Sequence, residues 1–490
     1  MTKHLDIDTK AMRAKILDLA IRGKLTDQRQ EDGSARDLLK AIQAEKERLI
    51  KEKKIKKEKP LPEITEEEKP FNIPENWEWV RLRDISSKIV DGTHHSPPNQ
   101  TTGAYMYVTA KNIKSDGVHL DNITYVSENV HKEIYSRCNP EMGDILYIKD
   151  GATTGIVTIN NIKQEYSLLS SVALIKTFDT IYNSYIVYAL RNPVFYGSVR
   201  DKMTGTGITR ITLRVLSTLL IPLPPLAEQK RIADKVSALF AQLDVIDKAY
   251  EEYRELQQAM KSKLLELAIQ GKLTDQRDED GNARGLFQDI QEEKQRLIAE
   301  KKIKKEKPLP EIEADEIPFE IPTNWMWVRL GNICSKVVDG DHNPPKGENH
   351  PTPYIMASSQ NINNDRLVNL CSVRYLSKEV FEKENLRTLA SEGDIFFTSV
   401  GSLGRSCVYD GSLNICFQRS VSVITAQIYN WYLKRCFDSP YYQNMMYAEA
   451  KGTAQKGFYL KQLSNSLIPL PPLAEQKRIV AKLDELLPLL

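Results

Sequence analysis

The sequence predicts an α+β chain: two mixed α/β blocks joined and separated by two long helical regions, antiparallel and coiled-coil in character, pseudo-two-fold and circularly closed. Three observations lead to it. The first is the middle of the chain, where the proline-stiffened run IPLPPLAEQKRI from Ile221 gives way to apolar residues in steps of three and four. These are Ile232, Val236, Leu239, Leu243, Ile246, Tyr250, Tyr253, Leu256, Met260, Leu264 and Leu267. No proline or glycine follows Glu228 until Gly271, which suits a C-terminal cap, so one helix of roughly 40 residues should rise about 60 Å. The second observation is that the halves of this segment recur at opposite ends. PLPPLAEQKRI returns at Pro469, and AMRAKILDLAIRGKLTDQ from Ala11 resembles AMKSKLLELAIQGKLTDQ from Ala259. The third is the period of roughly 250 residues, which makes the chain a two-fold repeat cut open inside one copy and predicts termini close together.

Taken in order, a helix is expected from about Asp6 to Arg22, closed at Gly23, followed by the polar turn TDQRQEDGSAR. Helical periodicity resumes from Asp37 to Lys57 through Leu38, Leu39, Ile42, Leu49 and Ile50, with Glu and Lys interleaved as on an exposed helix. Its basic end, Lys53, Lys54, Lys56, Lys57 and Lys59, is copied as Lys301, Lys302, Lys304, Lys305 and Lys307. Such a run is either a solvated helix end or a contact for phosphates or a partner. PLPEI then forms a stiff linker. The resulting partition is a helical region 1–69, a block 70–220, the long helix and basic linker 221–317, a second block 318–467, and a helical region 468–490 that completes the second rod with the N-terminus.

The two blocks share landmarks. NWEWVRL at Asn76 matches NWMWVRL at Asn324, Asp91-Gly92 matches Asp339-Gly340, and Gly143-Asp144-Ile145 answers Gly393-Asp394-Ile395. Short β-branched runs split by glycines, such as ILYIK, GIVTI, SSVALIK, DIFFTSV and SVSVIT, read as strands, and the stretches from Asn183 to Arg191 and from Trp431 to Phe437 as helices. The tryptophans read as core anchors. Between landmarks the loops diverge: THHSPPNQ stands against DHNPPKGE, and KDGATTG against TSVGSLG. A duplicated scaffold with unlike loops suggests two readers of different targets.

Composition narrows the function classes. With 27% charged and 41% hydrophobic residues in 490, the chain has material for several folded domains, and its formal net charge of +2 argues against an indiscriminate polyanion binder. No run of about 18 apolar residues and no hydrophobic N-terminal region occur, so no membrane association is expected and the cytoplasm is the expected location. Cys138, Cys334, Cys371, Cys407, Cys416 and Cys436 form no C-x-x-C pair and read as structural thiols. Asn343-Pro344-Pro345-Lys346 mimics an adenine-methyltransferase motif but lacks the aromatic fourth residue, and no glycine-rich turn for a methyl donor precedes it. There is no phosphate-binding G-x-x-x-x-G-K-[ST] loop, and His94 and His95 lack a matched third metal ligand. No catalytic or metal residues are assigned.

What remains is a binding inventory in the loops and strand ends. The first block offers His94, His95, Lys111, Asn112, Lys149, Thr153, Arg200, Lys202, Thr204, Thr206, Thr209, Arg210 and Arg214. The second offers His342, Asn343, Lys346, Gln360, Asn361, Ser402, Arg405, Arg419, Lys451, Thr453, Gln455 and Lys456. Arginine, asparagine and glutamine pair bidentately with base edges, while lysine and hydroxyls hold phosphates.

Two variable blocks that open on N-W-x-W-x-x-L, contain a G-D-I-[LF] turn and end in IPLPPLAEQKRI before a helix resemble the DNA-specificity subunit of type I restriction-modification enzymes, over essentially the whole chain. That resemblance implies target-recognition domains that each read half of a split, asymmetric site on double-stranded DNA, with the helices as a ruler that docks two modification subunits. It also implies a non-catalytic chain that binds no cofactor. S-adenosylmethionine would come with the adenine-methylating partners, and ATP and Mg2+ with restriction subunits that translocate and cleave. A coiled-coil scaffold with two protein-binding heads is the alternative, against which the hydroxyl- and arginine-rich loop TGTGITRITLR from Thr204 argues.

Overall fold

The computed structural model describes residues 7–204, 209–363, 365–452 and 456–490. The expectation of adjoining termini falls partly on residues 1–6, outside the described residues. The chain forms two compact units that divide inside the long helix, one ending at Tyr250 and the other running from Glu251 to Leu490. Each is α+β, with a β-rich block and long helices.

In the first unit the block opens and closes on one antiparallel ribbon, Glu78–Arg81 against Leu220–Leu223, which sets Trp79 opposite Pro222. The prolines that forbid a helix here therefore build an edge strand, where a missing N–H costs little. The main sheet has the order Ser86–Asp91, Val172–Thr177, Ile145–Ile148, Val157–Ile159, all antiparallel. Successive residues of Ile145–Ile148 alternate between two cores. Ile145 and Tyr147 join Ile175, Ile186 and Leu190, whereas Leu146 and Ile148 join Val108, Tyr166 and Leu174. A strand buried on both faces carries no polar alternation, which is why ILYI reads as a continuous apolar run. A smaller sheet, Thr124–Val126, Tyr105–Val108 and Tyr166–Leu168, contains a parallel pair.

The second unit repeats this plan. Met326–Arg329 pairs with Leu467–Leu470, and the main sheet runs Cys334–Asp339, Val421–Ala426, Ile395–Thr398, Ser406–Val408. The smaller sheet is Arg374–Leu376, Tyr354–Ala357 and Asn414–Phe417.

The long helix spans Leu226–Ile269, 44 residues, and starts two residues before Glu228 because the Gln229 N–H already reaches the Pro225 carbonyl at 3.0 Å. It ends as expected at Gly271, whose φ of +69° only glycine adopts cheaply, and the Lys272 N–H closes the turn on the Leu267 carbonyl at 2.9 Å. In the first unit the helix Thr9–Ile21, capped by Asp8, runs antiparallel to the opening half of the long helix. Thr9 Oγ1 donates to Asp247 at 2.6 Å, and Arg13 pairs with Asp244 at 2.6 Å. In the second unit Leu473–Leu486 lies antiparallel to the closing half.

Each unit carries the same buried joint. The Glu228 carboxylate accepts from Trp77 Nε1 at 2.8 Å, Gln28 Nε2 at 2.6 Å and Thr26 Oγ1 at 3.3 Å. Glu475 accepts from Trp325 Nε1 at 2.8 Å, Gln276 Nε2 at 2.6 Å and Thr274 Oγ1 at 3.2 Å. The tryptophan of one repeated motif and the glutamate of another thus meet in the core, and Trp77, Trp79 and Trp325 are buried anchors.

Two expectations need correcting. The second helix covers Ala35–Lys51, not Asp37 to Lys57: Ser34 caps it, and Lys53 turns the chain at φ +56°, so the lysine run lies in a turn and linker. Like charges crowded ahead of Pro60 favour that unwinding. The apolar seam of the long helix is also not continuous, since Ile232, Val236 and Leu243 are buried but Tyr253, Leu256 and Met260 are exposed. Among the described residues no helix is long and apolar enough to cross a membrane.

Candidate nucleic-acid interface

In both blocks one set of turns converges where the Asp-Gly landmark ends the first strand of the main sheet. A Cβ on Gly92 would fall 1.8 Å from the Leu168 carbonyl oxygen, and one on Gly340 would fall 2.1 Å from that of Phe417. Only glycine lets the two backbones pass this closely. Beyond it, the Ser170 N–H donates to the Thr93 carbonyl at 2.9 Å in the first block, and the Arg419 N–H donates to the Asp341 carbonyl at 2.8 Å in the second.

In the first block the loop after Asp91 is met by the turn 149–155 and by Thr204 and Arg210, which exchange backbone hydrogen bonds of 3.0 and 2.9 Å. The Gly151 N–H reaches the Thr209 carbonyl at 2.8 Å, and Arg200 Nη1 reaches the Ala152 carbonyl at 3.2 Å. This brings together the exposed residues His94, Thr153, Arg200, Thr204, Thr209 and Arg210, with His95 beside them and Lys202 at the end of the helix Pro193–Asp201. Lys111 is exposed on the turn Ala110–Asn112, which touches Ser171. At the centre the Lys149 ammonium is buried between Asp91 at 3.4 Å and Asp150 at 3.3 Å, with Arg137 and His94 also on Asp91.

In the second block the strand end at Asp339 is held by Arg387 Nη2 at 2.5 Å and His342 Nε2 at 2.8 Å. Burial works to raise the Asp339 carboxyl, but the Arg387 guanidinium and the hydrogen bond with His342 outweigh it and hold it below the usual aspartate range. His342, Gln360 and Arg419 line one cleft of about 300 Å3 with Asp341 and Gln418. Gly457 bridges Val400 and Lys451, which places Lys451 and Lys456 beside the turn carrying Ser402 and Arg405. Asn343 and Lys346 are exposed on the proline loop.

Several sequence-derived candidates are corrected. Asn112 and Asn361 are buried, and each bonds its own loop. Asn112 accepts the Thr109 N–H at 3.1 Å and donates to the His119 carbonyl at 3.2 Å, while Asn361 accepts the Ser358 N–H at 3.0 Å and donates to Val368 and Asn369. Neither has a side chain to offer a base. Lys149 is likewise committed to internal ion pairs. Arg214 lies apart on the helix Leu213–Ser217, packed against Ser86–Asp91 and the turn Leu82–Ile85. Thr206, Thr453 and Gln455 lie outside the described residues. The sequence reading missed Asp91, Arg137, Asp339, Asp341 and Arg387, which shape these ends. The aspartates of the Asp-Gly landmark were the available signal. Burial pushes the Cys138, Cys334, Cys407, Cys416 and Cys436 thiols up to about 12, so these five are inert packing groups.

The chain is 28% identical to the type I restriction enzyme EcoAI specificity subunit of Escherichia coli, over 98% of its own length and 89% of that protein. It is 26% identical to the EcoEI specificity subunit of the same organism, over 97% and 88%. A chain from structural work on complex assembly and conformational transition of the type I R-M system shares the fold with a TM-score of 0.54, at 20% identity, covering 85% of this chain and 91% of that one. The model of the type I restriction modification DNA specificity domain matches twice, at residues 74–252 and 322–488. Each match takes in one block and runs into the helix after it, and the chain belongs to the type I restriction-modification DNA specificity family.

Proposed function

We propose that this chain is the non-catalytic specificity subunit of a type I restriction-modification complex, in which each block reads one half of a bipartite, asymmetric site on double-stranded DNA. One observation carries the reading. The two blocks hold the same backbone frame, down to the Ser170–Thr93 and Arg419–Asp341 hydrogen bonds, yet present different side chains on the converging turns. A frame kept while its exposed polar groups change is what two readers of different sequences require.

The helices in this reading pair as antiparallel coiled coils, close the repeat into a circle and fix the gap between half-sites. The 44-residue helix supports it, rising about 66 Å at 1.5 Å per residue. Exposed Tyr253, Leu256 and Met260 give docking modification subunits an apolar stripe. Those two subunits bring S-adenosylmethionine and methylate adenine, and restriction subunits bring ATP and Mg2+ for translocation and cleavage. The complex acts in the cytoplasm.

Mapping methylated sites in cells that make the chain with its cognate modification subunits tests this directly, and a split motif is expected. A heptad inserted between Tyr250 and Glu251 adds about 10 Å of helix, so the gap should lengthen by about three base pairs with both half-sites intact. An unchanged gap rejects the ruler. Exchange of residues 101–205 for a relative's segment should alter one half-site only.

A further inference from the structure

We propose that Arg419 and Asp341 of the second block together read one G·C base pair from its major-groove edge, a reading for which the first block has no counterpart. The inference rests on the blocks being DNA readers and goes further by naming the pair of side chains and the base pair.

The two residues come from different loops and are pinned together by the hydrogen bond of 2.8 Å from the Arg419 N–H to the Asp341 carbonyl. Their side chains line one cleft of about 300 Å3, with His342, Gln360 and Gln418 around them. Arg419 also lines a neighbouring hollow of about 240 Å3 with Asp339, Ser399 and Tyr459. The Arg419 residue is exposed, and among the described residues nothing pairs with or accepts from its guanidinium. Asp341 Oδ2 accepts the Asn343 N–H at 2.9 Å, which orients the carboxylate and leaves Oδ1 for another donor.

The chemistry selects the ligand. Guanine shows two acceptors, N7 and O6, to the major groove, and its cytosine partner shows the N4 donor. A guanidinium with two parallel N–H groups beside a free carboxylate oxygen matches that row, whereas an A·T pair adds a methyl group and moves the donor. A backbone phosphate fits poorly, because it would bring its negative charge against the Asp341 carboxylate that shares the cleft with Arg419.

The first block shows what the contrast costs. The same backbone bond is present, Ser170 N–H to Thr93 carbonyl at 2.9 Å, but serine and threonine stand where the second block has arginine and aspartate. Its nearby cation, Lys149, is buried and held by Asp91 and Asp150.

The experiment selects bound duplexes from a randomised pool with the full chain assembled with its modification subunits, and measures the salt dependence of binding to the selected site. Arg419→Ala should relax a single G·C position of the second half-site, weaken binding to the original site about 5- to 150-fold, and leave the first half-site and the salt slope as they were. Asp341→Asn should relax the same position. Arg419→Lys, which keeps the charge and loses the fork, should relax it too. An equal loss on every sequence with a shallower salt slope would make Arg419 a phosphate contact and overturn the inference, as would an unchanged motif or different positions for the two variants. A wild-type complex that selects no split motif would instead overturn the reading of the blocks, and this inference with it.

Discussion

The buried joint and the converging turns answer duplication in opposite ways. At the joint, Trp77, Gln28 and Thr26 on Glu228 and their copies on Glu475 keep the same three donors at distances equal to within 0.1 Å. At the turns, Thr93 stands where the second block has Asp341, and Ser170 where it has Arg419. The difference follows from solvation. A carboxylate without exposure must have every donor in place, so no partner can change alone. Groups on an exposed turn are satisfied by water whatever they are, and remain free to vary with the target.

The comparison can be broken first at the joint. Glu228→Ala and Glu475→Ala should each orphan a buried indole N–H, at a cost of about 3 kcal/mol, and the two losses should agree within about 0.5 kcal/mol. Urea unfolding of each variant measures this, and a large inequality would show that the joints are alike in geometry only. The turns should behave asymmetrically. Lys149→Ala removes a buried partner of Asp91 and should cost about 2 kcal/mol, whereas Ser399→Ala, at the matching position, loses one hydroxyl contact with Ser422 and should cost about 1 kcal/mol. Equal losses in thermal melts would deny that the blocks fill this position differently.

The smallest expected effect is one of pH. Burial raises the Glu228 and Glu475 carboxyls above the ordinary 4.5, more than the tryptophan, glutamine and threonine donors lower them. A raised folded value means the joint's contribution is complete below pH 4.5 and shrinks as pH rises through that value. Glu228→Gln, which cannot ionise, should therefore lie further below the wild type in stability at pH 4 than at pH 7. A gap that widens with pH would show that the donors, not burial, dominate.

Much of the fold was legible because its causes are local or repeated. The heptad-like spacing and the distance from Glu228 to Gly271 specify a long helix, since neither proline nor glycine interrupts it. ILYIK and SVSVIT announce strands through β-branched residues, and Asn183 to Arg191 is helical as expected. The lysine run misled because charge interleaving resembles an exposed helix, while the chain reversal at Lys53 depends on a cap that spacing does not reveal. The candidate site was legible only in part. Asn112 and Asn361 have the right chemistry for reading bases, yet burial in a tight turn directs their amides onto the backbone of their own loops.

By itself the sequence determined the duplication, the helices, the strands and the turns in which polar groups would gather, because periodicity, proline, glycine and motif recurrence act over a few residues or repeat visibly. Tertiary structure decided which of those groups remain available. Lys149 in the first block and Arg419 in the second are both cations on the converging turns of their own blocks, but one is enclosed by Asp91 and Asp150 and the other faces a cleft. That distinction arises from residues far apart in the chain, and desolvation, which only packing sets, turns one cation into an internal brace and leaves the other exposed.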